Sequence, residues 1–274
     1  MKTIFRYLKL YGTSIKRSMM SRMVYKKNTF IAISAFIFSN ICSILSIYFI
    51  VNSIPNLNVN GQSWDIWQIG MIYGFAMLPV AIDHLFSDEL WLVSYRRVVD
   101  GSLDPLMLRP APSLFMVLAE TFQPEGFGEL IVGVTMLILC GIQPSVNLVI
   151  NFGTILLIIV STIFGAIIIT SFKIMIASFA FRMKRSGPIL QIIYNFIAYT
   201  KYPIGIYHPF VRGLLTFVFP FALFISFPME VILGFATYNP YLLSLIIVGV
   251  AIILLLLSIL IWNLNEKKYE STGN

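Results

Sequence analysis

Residues 131–172 read IVGVTMLILCGIQPSVNLVINFGTILLIIVSTIFGAIIITSF, a run without one charged side chain. Its only break is the turn sequence Gly141-Ile142-Gln143-Pro144. A helix needs about 20 apolar residues to cross a bilayer core. The run therefore divides into two expected spans, 125–142 and 147–172, joined by a short turn. Thr29–Asn52, Trp67–Ile82 and Tyr241–Leu264 are uncharged as well. These runs place the chain in a membrane and exclude a soluble enzyme.

Composition agrees. Hydrophobic residues make up 58% of the chain and charged residues 11%, with a mean hydropathy of +0.86. Soluble domains carry about 25% charged residues. The 274 residues leave room for about six spans and short connections, and for no extramembrane domain. Cys42 and Cys140 fall inside expected spans and read as small buried apolar residues. The net charge of +7 reads as topology and contact with anionic lipid, not as nucleic-acid binding.

Residues 1–28 hold Lys2, Arg6, Lys9, Lys16, Arg17, Arg22, Lys26 and Lys27 and no acid. Ile4, Phe5, Leu8, Tyr11 and Ile15 recur near helical spacing. This predicts a basic amphipathic helix on the inner leaflet. The apolar run behind it is too long for a signal peptide and reads as an uncleaved first span, 29–52. The polar loop Pro55–Ser63 leads to a second span, 64–86, with Trp64 and Trp67 as interface anchors. The last span is 241–263. With the N-terminus inside, 1–28, 88–123, 173–185 and the C-terminal tail are cytoplasmic. The loops 53–63 and 142–146 are then external and hold no Lys or Arg. This is a positive-inside pattern, and it puts both termini in the cytoplasm. It assigns Lys173, Arg182, Lys184 and Arg185 to one cytoplasmic cluster.

The segment 186–240 admits two paths. In one, 188–206 stays at the inner surface and 210–235 is a single span, which keeps Lys201 and Arg212 inside. In the other, 188–207 is the fifth span and 210–237 is a re-entrant hairpin. Pro220, Pro228 and Glu230 fit the second path, because broken helices at membrane depth are tolerated where protein or water surrounds them.

Catalytic signatures are missing. The chain has no G-x-x-x-x-G-K-[ST], no H-E-x-x-H and no G-x-S-x-G. Its histidines, His84 and His208, are too scattered for a metal cluster. Asp83 reads as an interface residue at the inner end of the second span. With so little acid in the spans, a proton relay is not expected.

Residues 88–112 read DELWLVSYRRVVDGSLDPLMLRPAP. Leu90, Trp91, Val93, Val98 and Val99 interleave with Arg96, Arg97 and Asp100, predicting an amphipathic helix that ends at a left-handed Gly101. Asp104-Pro105 fits the N-cap and first position of a second short helix, stopped by Arg109-Pro110.

The run Gly101–Pro110 resembles the G-x-L-D-x-x-L-x-R-P signature of a family of type-2 ABC-transporter permeases. Tyr202-Pro203-Ile204-Gly205-Ile206-Tyr207, then Leu215–Ala222 and Phe227-Pro228, is similar to that family's Y-P-x-x-I-Y … P-x-A-F … P pattern. The resemblance covers nearly the whole chain. It implies an all-α integral membrane protein with six transmembrane helices, a cytoplasmic coupling helix–turn–helix at 88–112 and a re-entrant hairpin at 210–237. It also implies a second permease subunit, identical or paralogous, and separate ATP-binding cassette subunits that bind ATP and Mg; this chain itself would bind no cofactor.

The expected function is therefore the membrane subunit of an ATP-driven exporter in a cell membrane, with a bacterial source. The alternative is a channel or secondary transporter, which would want a polar stripe along one span; the last span is instead nearly uniform. The coupling candidates are Arg96, Arg97, Gly101, Asp104 and Arg109. The outer-gate candidates are Phe217, Pro220, Phe221, Phe224, Pro228 and Glu230, with Phe219 and Phe227 beside them. Ser39, Asn40, Ser43, Ser46, Gly70 and Gly74 are small or polar residues that suit a permease–permease contact.

Overall fold

The computed structural model describes residues 2–24, 26–53, 58–59, 61–120 and 122–271. A basic helix, α1 (Lys2–Val24), is followed by α2 (Lys26–Asn52). A two-residue ladder, β1 (Asn58–Val59) and β2 (Gln62–Ser63), leads to α3 (Ile66–Ser87). Then come α4 (Glu89–Leu92), a π-helical turn at Val93–Arg97, α5 (Asp104–Met107) and α6 (Ser113–Glu120). Next are α7 (Gly126–Gly141), α8 (Phe152–Met183) and α9 (Gly187–Tyr199). α10 (Pro209–Gly213) runs through a second π-helical turn, Leu214–Val218. α11 (Phe221–Phe224), α12 (Ser226–Ile232) and α13 (Pro240–Glu266) complete the described elements.

The long helices start where the sequence supplies caps. Asp65 accepts from the Ile66 backbone at 2.6 Å, and Gln68 reaches back to the Asp65 backbone at 2.9 Å. Asn151 and Thr154 exchange the same pair of bonds at the head of α8. Asn239 caps α13, with Pro240 in its first turn. The Asn151 cap moves the start of α8 to Phe152, later than the expected 147, and 144–151 is turn and irregular chain.

α3 and α7 cross antiparallel on a glycine pair. A Cβ on Gly74 would lie 3.0 Å from the Gly133 carbonyl oxygen, and one on Gly133 would lie 2.9 Å from that of Gly74. Gly70 meets Cys140 in the same way. Asn40 accepts a hydrogen bond from the Tyr73 hydroxyl at 2.8 Å. Gly70, Gly74 and Asn40 are thus used inside the subunit and do not form the expected permease–permease contact. Ser39 and Ser46 remain on the exposed side of α2, as does Cys42, which the sequence reading had buried.

α8 and α13 run parallel. Gly153 abuts Pro240 and Tyr241 at one end, and Asn265 donates to the Ser178 hydroxyl at 2.8 Å at the other. Along α8, Lys173 bonds Asp83 and Asp88, so α3 points the same way. The molecule has a basic end, with α1 and residues 88–120, 122–125, 182–187 and 266–271; the excess of positive charge comes from α1. Its opposite, near-neutral end holds 58–59, 61–65, 142–151 and 233–239; these segments contain no Lys or Arg and one acid, Asp65.

Among the described residues, four helices are long and apolar enough to cross a bilayer: α2, α3, α8 and α13. The bent pair Pro209–Val218 and Phe221–Ile232 would be a fifth if taken as one span, and its halves meet at 76°. The chain is an all-α membrane protein apart from the two-residue ladder. α7, with 16 residues, spans about 24 Å, and α9, with 13, about 20 Å. The expected fifth span 188–207 is therefore a helix only as far as Tyr199, followed by turns and a 3₁₀ turn at Ile204–Ile206. α8 runs on to Met183 and carries Lys173 within it, which removes Lys173 from the expected cytoplasmic cluster. Lys26–Asn28 belong to α2 and not to the N-terminal helix.

Between the end of α8 at the basic end and the start of α13 at the neutral end, the chain must climb. α9 sets Gly187 against the Tyr95 ring, then Tyr194 against Trp91, and Lys201 lies over the Tyr73 ring at 4.9 Å. The bend at Phe219-Pro220 packs on Phe172. α12 then rises to Ile232, whose carbonyl accepts from the Val149 backbone at 2.8 Å.

Candidate functional site

Two regions bring charged and polar side chains together. The first is a cavity of ≈ 390 Å³ between α2, α3, α7 and α9, lined by Phe36, Met77, Asp83, His84, Asp88, Trp91, Glu129, Gln191, Tyr194 and Lys201 among others. Helical spacing sets its wall: Asp83 with Ser87, and His84 with Asp88, are each four residues apart on α3 and its end. Asp83 accepts from the Ser87 hydroxyl, from Thr170 at 2.7 Å and from Lys173 Nζ at 3.0 Å. Lys173 is 0% exposed, reaches Asp88 at 3.3 Å, and lies 5.6 Å from the Tyr194 ring centroid. A charge that far from water survives only with partners of this kind. His84 Nδ1 is 3.2 Å from Glu129 Oε2, and its Nε2 is 3.5 Å from Asp88 Oδ2. Among the described residues, no group of three or more His, Cys, Asp or Glu side chains is arranged to hold a metal ion.

The second region is the platform at the basic end. Gly101 has φ +70°, the left-handed value that the sequence required of it. Asp100 accepts from the Ser102 hydroxyl at 2.6 Å and its backbone N–H at 3.0 Å, which holds its carboxyl below the usual carboxylate range. Arg97 pairs with the buried Glu89, whereas Arg96 is 70% exposed and 3.4 Å from Asp100. Arg109 pairs with Glu120 at 2.9 Å. Asp104 is the first residue of α5, not its N-cap. Its carboxylate accepts from Tyr269 and Ser271, both at 2.6 Å, and these hydroxyls lower its pKa, Ser271 most. Burial and the facing Asp104 push the Tyr269 hydroxyl upward. Trp262 donates to Ser113 at 3.0 Å, and Phe181 packs edge-on against Trp262. α1 docks here as well: Arg22 pairs with Glu125 at 2.8 Å, and Ser18 and Phe122 exchange hydrogen bonds.

A family model described as ABC-2 family transporter protein matches residues 37–273. The chain belongs to that family. No curated protein and no solved structure matches it. ABC-2 transporters work with a separate ATP-binding subunit, and this permease is the membrane component.

In the permease, the five coupling candidates lie together on the platform, but they do different things. Arg97, Asp104 and Arg109 are engaged within the subunit, and Gly101 makes a turn. Arg96 presents its guanidinium outward. The gate candidates separate too. Phe221 and Phe224 are 0% exposed, and Phe224 fills the space left by Gly165, where a Cβ would lie 2.4 Å from its ring. Pro220 and Pro228 are buried. Phe221 and Phe224 attach the bent pair to α8, through Phe172 and Gly165. Phe217 is 85% exposed, and Glu230 is half-buried with Arg212 as its charged neighbour. Trp64 packs on Phe235 instead of anchoring at an interface.

Sequence reasoning missed the cavity cluster. The signal was present: Asp83, His84 and Asp88 at one end of an apolar helix, Glu129 in the first turn of another, and a lysine inside a third. Their convergence depends on how α3, α7 and α8 pack, and no local pattern carries that.

Proposed function

We propose that this chain is the membrane-spanning permease subunit of an ATP-driven exporter. It crosses the membrane six times, with α7 and the α9 segment as short crossings and both termini in the cytoplasm of a bacterial cell. Residues 209–232 form a re-entrant hairpin toward the outside. A second permease subunit, identical or paralogous, completes the path, and two ATP-binding cassette subunits carry ATP and Mg. The absence of lysine and arginine from 58–59, 61–65, 142–151 and 233–239 supports this orientation, with Arg212 on the hairpin as the exception to the charge rule.

The observation that carries the reading is the platform. It is built from one continuous segment, braced by ion pairs, and joined to α8 and α13 by the Phe181–Trp262–Ser113 contact. A partner that pushes on Arg96 moves the spans with it. The test is co-purification with a P-loop ATPase encoded beside this chain. Wild type should retain the ATPase and stimulate its hydrolysis. Arg96→Glu should release it while the permease still inserts.

The charged cluster around His84 favours a second reading, a secondary transporter, since buried acid–base groups within spans are the usual parts of ion coupling. Transport by the purified chain in liposomes without ATP would establish that reading and remove the first.

A further inference from the structure

The groups facing His84 come from every element around it. Asp83 lies beside it on α3, Asp88 just beyond, Glu129 on α7, Lys173 on α8, and Tyr194 and Lys201 on the α9 segment. α2 contributes only the Phe36 ring, 4.9 Å away. Lys173 bridges Asp83 at 3.0 Å and Asp88 at 3.3 Å, one positive charge shared between two carboxylates. Lys201 rests over the Tyr73 ring at 4.9 Å. Asp88 and Glu129 flank the imidazole. Neutral imidazole has one N–H and can donate to one of them; imidazolium donates to both. With His84 protonated, three carboxylates meet three cations. Without that proton, the cavity keeps one negative charge in excess.

We infer that the cavity binds a singly charged organic cation, whose positive centre replaces the His84 proton as counter-ion to Glu129 and Asp88. The walls suit such a ligand. Trp91, Tyr194 and Phe36 offer aromatic faces, which attract cations. The cavity of ≈ 390 Å³ lies in the usual range for small-molecule sites, about 300–1,000 Å³. Toward the neutral end lies an apolar cavity of ≈ 180 Å³, lined by Ile44, Ile47, Trp67, Met136 and Leu139. Tyr73 belongs to that lining, and Lys201 of the polar cavity sits on its ring, so these two side chains form a wall between the two spaces. The positive centre of the ligand then sits beside Glu129, and its apolar groups lie against the aromatic rings of the same cavity. This rests on the reading of the chain as a transport permease.

The test uses the full chain in nanodiscs, without ATP-binding subunits, and a pair of probes of like shape and opposite charge, tetraphenylphosphonium and tetraphenylborate. Binding is measured against protein-free discs. Tetraphenylphosphonium should bind saturably and tetraphenylborate should not. Because the His84 proton and the cation compete for the same two carboxylates, acidification from about pH 8 to about pH 5, the range over which histidine charge changes, should weaken cation binding about tenfold or more. Glu129→Gln should weaken it about tenfold at neutral pH, the effect of losing one close charge contact. His84→Gln should abolish the pH dependence. Equal binding of both probes, cation binding that acidification leaves unchanged, or an unchanged Kd in Glu129→Gln would overturn the inference. Probe selectivity and pH dependence are read on the unaltered chain, so a variant that fails to assemble does not block the decision. Failure here leaves the co-purification result standing, and loss of co-purification leaves the binding result standing, so site and function fail separately.

Discussion

Lys173 and Asp83 show how much a single buried pair can decide. Removing one partner leaves the other charged and dry, which costs about 3–5 kcal/mol, whereas replacing both by apolar groups is often neutral. Lys173→Met should therefore lower the thermal unfolding temperature of the detergent-solubilised permease sharply, and Asp83→Leu with Lys173→Met should recover most of the loss. If the single and double variants unfold alike, the pair is not what holds α3 to α8. Asp104 gives a second prediction. Its folded pKa lies below its unfolded value, so its contribution to fixing the tail is present in full above about pH 4 and is lost as pH falls through the folded value. The protection of residues 267–271 against hydrogen exchange, taken relative to the intrinsic rate at each pH, should fall over that acidic window, and Asp104→Asn should make that protection insensitive to pH there. The sequence marked Asp104 as special but misassigned its task. The N-cap rule concerns the backbone nearby, and Tyr269 and Ser271 are more than 160 residues away.

Elements were legible to the degree that their signals are local. The runs that became α2, α3, α8 and α13 follow from length and hydropathy, and the left-handed turn at Gly101 follows from having no Cβ. The ends were less legible. The Asn151–Thr154 cap sits in an apolar stretch, and α9 stops at Tyr199 although apolar residues, interrupted by Lys201, run on to Tyr207. The α3–α7 crossing gives a prediction for this scale. Gly133→Val puts side-chain atoms into the Gly74 carbonyl, so the helices must separate, at a cost of about 1–3 kcal/mol or more. An outward-facing swap, Ile138→Val, should change stability by less than about 0.5 kcal/mol in the same assay. The hairpin is tested by labelling. Cysteines at Arg212 and Tyr238 should both react with an impermeant reagent from outside; reaction at Arg212 only from the cytoplasm would make 209–232 a single span.

At the scale of the whole molecule, the platform separates two roles that the sequence had merged. Arg97→Glu breaks a pair with buried Glu89 and should reduce the amount of folded permease. Arg96→Glu touches only exposed Asp100 and should leave folding intact while reducing ATPase stimulation. Measuring both readouts on both variants distinguishes support from contact; if both fail in the same way, the distinction is wrong. Hydropathy and charge identified the membrane and the platform, while the cavity needed the packed helices. The shortness of α9 also has a consequence for biogenesis. A helix of 13 residues, followed by Lys201 and Arg212, gives the insertion machinery a weak crossing signal and a charge bias toward the wrong side. α13 is long, uncharged through its centre and capped at the neutral end, so it is the segment able to drag its predecessor across. Residues 184–239 would then reach their final place only after α13 has been synthesised. A nascent chain truncated at Thr237 should hold Arg212 on the cytoplasmic side, and extending it through Glu266 should carry Arg212 to the outside.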